Sequence, residues 1–126
     1  MRKRNRMDWA VIAIAVITML SGITQIAAPR AVLSMMQVTI SPETVYLFIV
    51  VSLLTSLFGA ALLHALLSRQ RQTVVVFWAS VQKVLGAAAV LIAALNGVIA
   101  RSALLAAGYD FLAGIFIFGY WIVNRD

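Results

Sequence analysis

Apolar positions dominate the chain for about twenty residues at a time, in four runs: Trp9–Ala28, Val45–Leu67, Val74–Leu95 and Ala103–Val123. None of the runs alternates with a period of two, so the tilted strands of a membrane barrel are not the expected form. At ~1.5 Å per residue, a helix of that length spans a hydrocarbon core of about 30 Å. Backbone groups in lipid must find their hydrogen bonds within the segment, which demands helices. The expected fold is therefore all-α, a four-transmembrane-helix antiparallel bundle, with residues 1–126 forming a single integral membrane domain.

The connections are short: Pro29–Thr44, Ser68–Thr73 and Asn96–Ser102. Short links are expected to make sequential helices antiparallel neighbours. Within the first link, Ser41-Pro42-Glu43-Thr44 reads as a helix start. Serine can cap, proline suits the first turn, and an acid there meets the positive end of the helix dipole. The piece Arg30–Val38 carries Val32, Leu33, Met35 and Met36. It reads either as a short interfacial helix or as an irregular loop. Asn96-Gly97 reads as the end of the third helix.

Composition narrows the class. Hydrophobic residues make up 63% of the 126 and charged residues 11%, and the mean hydropathy is +1.02. A body of 13.7 kDa has too little interior to hide that much apolar surface in water. A soluble enzyme, a disordered tail and a disulfide scaffold are thereby excluded. With no cysteine there is no thiolate chemistry. The one histidine, His64, excludes an in-chain bis-histidine haem. No metalloprotease, dinucleotide or P-loop motif occurs, and no serine has a plausible base nearby. No cofactor or metal is expected, and the chain is read as non-enzymatic.

The net charge of +6 is distributed unevenly. Arg2, Lys3, Arg4, Arg6, Arg69, Arg71 and Arg125 fall on one side of a four-span arrangement, and Arg30 and Arg101 on the other. The positive-inside rule then places both termini in the cytoplasm. Trp9, Trp78 and Trp121, with Phe77 and Tyr120, fall near that boundary, while Tyr46 and Tyr109 lie toward the opposite one. The first run resembles a signal peptide in having a basic start, but it is longer than an h-region of ~7–15 residues and reads as a retained helix. The basic arm fixes topology and attracts acidic headgroups, so membrane lipids are expected partners. Nothing beside it supplies the stacking aromatics of a nucleic-acid reader, and no nucleic acid is expected.

Small residues recur at helical spacing. Ser52, Ser56, Ala60 and His64 lie four apart, flanked by Thr55 and Gly59. Ala79, Lys83 and Ala87 share a face with Gly86, Ala94 and Gly97, as do Ala106, Asp110 and Gly114 with Ala103 and Ala107. The first run offers Thr18, Ser21, Gly22 and Gln25. Such stripes let backbones approach closely, which predicts a compact bundle.

Two charges stand out against this background. Lys83 lies near ~15 Å depth and Asp110 near ~19–20 Å, counted from the side of the termini. A charge at that depth costs about 2.5–3.5 kcal/mol on insertion scales, and more by other measures. Both fall on small-residue stripes of adjacent helices, so the expectation is an inward-facing Lys83–Asp110 ion pair. It would serve either to fix register or as a proton- or ion-linked site. A third reading has no direct contact between them. Gln25 is expected to bond a neighbouring helix and His64 to hydrogen-bond at the interface. Gln82 sits beside Lys83 in sequence but about 100° around the helix. Glu43 belongs to the helix start.

The apolar first helix, Pro29, Ser41-Pro42-Glu43, the small-residue helix ending near His64, and the strings Gln82-Lys83-Val84-Leu85-Gly86 and Gly108-Tyr109-Asp110-Phe111 together resemble the DoxX-like and other small four-helix bacterial membrane families. The resemblance implies a four-helix bundle in a bacterial inner (cytoplasmic) membrane and no particular activity. Small multidrug exporters are similar in size, but Trp9–Ala28 lacks the glutamate expected in their first helix. The functional expectation is a non-enzymatic accessory or scaffold subunit of a membrane assembly, as a homo-oligomer or beside a larger membrane-protein partner. The alternative is a small transporter or lipid- or hydrophobe-binding protein with its site at Lys83 and Asp110.

Overall fold

Asn5 and Asp8 start the first helix by capping each other's backbone. The Asp8 amide donates to Asn5 Oδ1 at 2.9 Å and the Asn5 amide to Asp8 Oδ2 at 2.7 Å. This reciprocal box satisfies two otherwise orphaned amides. Helix α1 (Arg6–Ala27) therefore begins before the apolar run and takes Asp8 inside it. The computed structural model describes residues 3–70 and 72–126. Arg2 and Arg71, which enter the charge asymmetry, lie outside the described residues.

Pro29 opens a short helix, α2 (Pro29–Met35), so the first connection is helical as far as Met35 and irregular from there to Ser41. Ser41 then caps α3 (Pro42–Leu67), its Oγ accepting from the Thr44 amide at 3.1 Å. Helix α4 (Thr73–Leu95) ends where Gly97 takes a φ of +71°, a left-handed turn that suits glycine. Helix α5 (Ala103–Asn124) completes the chain. Helices α1, α3, α4 and α5 are each long and apolar enough to cross a membrane. The chain is thus an all-helical, four-helix integral membrane protein.

The four helices pack as two pairs: α1 runs closely along α3, and α4 along α5, whereas α3 touches α4 and α1 touches α5 only sparingly. The short α3–α4 link joins the pairs without making those two helices close neighbours. All four helices meet in one cluster, formed by Val11 and Ala15, Leu62, Val76 and Ala79, and Ile117 and Tyr120. Every member lies in the half nearer the termini. At the other end a single backbone bond links the connecting segments, the Ala100 amide donating to the Met36 carbonyl at 2.8 Å.

The small-residue stripes need correcting. Along α3 the buried positions are Ser52, Ser56, Gly59, Leu62 and Ala65, while His64 is exposed and Ala60 only half-buried. At 3.6 residues per turn a strict four-residue row drifts about 40° per step, so by His64 it has left the packed face. Ser21, Gly86 and Ala106 are exposed as well. Gly97 is exposed too, beyond the end of its helix.

Candidate functional site

Lys83 and Asp110 are brought together. Lys83 Nζ donates to Asp110 Oδ1 at 3.0 Å, across the α4–α5 seam. Four neighbours allow that approach. Gly114 puts bare backbone against Val84 and Lys83, where a Cβ would come within 2.7 Å of Val84 Cγ2. Ser80, one turn below Lys83, donates to the Gly114 carbonyl at 2.8 Å. Ala87 and Ala107 are buried alongside. The helices are thus pinned by a backbone-directed bond next to the ion pair.

The partners are unequally covered. The Lys83 side chain is 6% exposed and that of Asp110 41%. Asp110 lies on the seam face of α5 with Ala107, Gly114 and Ile117, yet nothing from α1 or α3 closes fully over it. The expected inward burial of both charges holds for Lys83 only. The reason is the paired architecture: the four-helix cluster stops on the terminal side of this level. The Tyr109 ring lies beside the pair, its centroid 6.0 Å from Nζ. Such a placement allows charge neutralisation within the membrane and leaves one carboxylate oxygen able to accept a further donor.

The other polar residues are dispersed. Gln25 meets α3, with Ser52 Oγ 2.9 Å from Gln25 Oε1 and 2.7 Å from the Phe48 carbonyl. One hydroxyl hydrogen serves only one acceptor; with the Gln25 amide turned, its NH2 donates to Ser52 while Ser52 donates to Phe48. One turn below, Ser56 donates to the Met19 carbonyl at 3.0 Å. Gln82 is half-buried, and His64 is exposed at the end of α3, away from Lys83 in the fold. These residues form no common site with the ion pair.

A second polar centre escaped the sequence reading. Asp8 is buried, and its Oδ1 accepts from the Tyr120 hydroxyl at 2.6 Å. This bond ties α1 to α5 across 112 positions of sequence. Asn124 is buried beside it and donates to the Tyr120 carbonyl at 2.8 Å. The available signal was the Asn5-x-x-Asp8 spacing of a capping box, which extends the helix over the acid. In the sequence Tyr120 reads only as a boundary aromatic. Among the described residues no group of three or more His, Cys, Asp or Glu could hold a metal ion.

The chain matches no family model, no curated protein and no solved structure.

Proposed function

We propose that the chain is a non-enzymatic subunit of a membrane assembly, working there as more than one copy, in a bacterial inner membrane with both termini cytoplasmic. The observation that carries the reading is the unequal cover of the ion pair, with Lys83 enclosed and the Asp110 carboxylate open at membrane depth. Lipid tails offer that carboxylate no hydrogen bond, and polar groups in hydrocarbon are driven toward protein partners. A second copy supplies a suitable donor, because Tyr109, 43% exposed, stands next to Asp110 on the same edge. In a two-fold pair the same patch meets itself, so one interface covers both carboxylates.

The test is copy number in lipid nanodiscs by native mass spectrometry. The wild type is expected to show at least two copies per disc. The double variant Lys83→Met, Asp110→Leu is expected to keep its thermal transition and fall to one copy. A wild type recovered as single chains overturns the reading, and so does a folded double variant that still associates.

The openness of Asp110 favours one other reading, a small transporter or hydrophobe-binding protein using the same pair. Substrate flux in liposomes that Asp110→Asn abolishes would replace the assembly reading with this one.

A further inference from the structure

A cleft of about 770 Å³ opens at the terminal end of the bundle, between the start of α1, the α3–α4 turn and the end of α5. Its inner wall is the apolar core, with Val76 and Tyr120. Trp121 forms part of the side, and Arg4 and Arg69 are among the lining residues. Asp8 also lines it, but its oxygens accept from the Tyr120 hydroxyl and the Asn5 amide. The cleft therefore has an apolar inner wall and a polar lining in which the two arginines outnumber the one carboxylate, and its size falls in the range of small-molecule sites.

Its depth in the membrane follows from the tryptophans. Trp9 and Trp78 are 59% and 56% exposed at this same end. Exposed tryptophans mark the headgroup level of a bilayer. Arg4 stands 5.8 Å above the Trp9 ring and Arg125 5.5 Å above the Trp121 ring. Their charges are thereby held at that level. Guanidinium groups fork onto phosphate oxygens, and a cationic site at this level meets phosphodiesters before any other anion.

We infer that this cleft binds the phosphate of an anionic phospholipid. Arg4 and Arg69 hold the phosphate oxygens, the headgroup fills the cleft, and the acyl chains lie along the apolar helix faces. Free phosphate shares this chemistry but lacks the acyl chains that hold the lipid along the apolar helix faces. The site is independent of how many copies assemble.

Native mass spectrometry of protein released from mixed phosphatidylglycerol and phosphatidylcholine nanodiscs tests the inference. Phosphatidylglycerol is expected to be retained selectively, one per chain. Arg4→Gln and Arg69→Gln are each expected to lower that retention roughly five- to tenfold while leaving the thermal midpoint in place. Arg6→Gln is the control, since Arg6 is exposed and lies outside the cleft. Retention unchanged in that variant supports a built site. An equal loss there means diffuse attraction and overturns the inference. Equal retention of the two lipids overturns it, and so does complete displacement of phosphatidylglycerol by inorganic phosphate.

Discussion

Asp110→Leu is expected to destabilise the protein more than Lys83→Met, although each removes one half of the same pair. Removing Asp110 strands an ammonium group that is 6% exposed, whereas removing Lys83 strands a carboxylate that is 41% exposed. A buried charge left without its partner costs about 3–5 kcal/mol. A half-exposed carboxylate at this depth instead recovers a hydrogen bond from the neighbouring copy that the proposed assembly places over it. Asp110→Leu therefore belongs at the upper end of that range, and Lys83→Met falls clearly below it. The double variant removes both charges and keeps the volume apolar, so it is expected to lie within about 1–2 kcal/mol of wild type. Unfolding titrations in mixed micelles measure all three. If Lys83→Met proves the more damaging, burial is not what decides the energetics of the pair.

Gly59→Ala is expected to destabilise the protein by about 3 kcal/mol, the top of the usual range for overpacking. A Cβ at Gly59 would sit 2.5 Å from the Met19 amide nitrogen and 2.9 Å from Met19 Cα. Those are backbone atoms of α1 and cannot swing aside. The helices must separate, and the Ser56 bond to the Met19 carbonyl goes with the contact. Gly22 faces α3 in the same way, 2.7 Å from the Ser52 carbonyl oxygen on the same construction. Gly86 is the contrast, since a Cβ there meets nothing within 4 Å. Gly86→Ala should be neutral or stabilising by about 0.5–1 kcal/mol, the gain from replacing glycine inside a helix. Thermal midpoints in detergent give the comparison, and a Gly59→Ala midpoint equal to that of Gly86→Ala would refute the close α1–α3 crossing.

The helices were legible in the sequence because each is a long apolar run, and length against membrane thickness is a one-dimensional quantity. The pairing of Lys83 with Asp110 was legible for the same reason, since depth along two adjacent helices can be counted. What required the structure was rotation about each helix axis. A four-residue row such as Ser52-Ser56-Ala60-His64 matches the packed face for two steps and then leaves it. Cover over Asp110 was not countable either, because it depends on whether the α1–α3 pair closes against the α4–α5 pair at that level. Asp8 was missed through an end effect: apolarity marks where a span begins, whereas the cap at Asn5 decides where the helix begins. Its bond to Tyr120 joins the two ends of the chain, and no local pattern carries a contact across that separation.

Cysteine accessibility tests the four-crossing arrangement most directly. The chain contains no cysteine, so each introduced one reports on a single position without background. Cysteines replacing Lys3, Gln70 and Asp126 should all label from one side of the membrane, and those replacing Gln37 and Asn96 only from the other. In intact bacterial cells an impermeant maleimide should reach only positions 37 and 96, with 3, 70 and 126 becoming reactive after lysis. Labelling of positions 3 and 126 from opposite sides, or of 37 and 70 from the same side, would contradict the account.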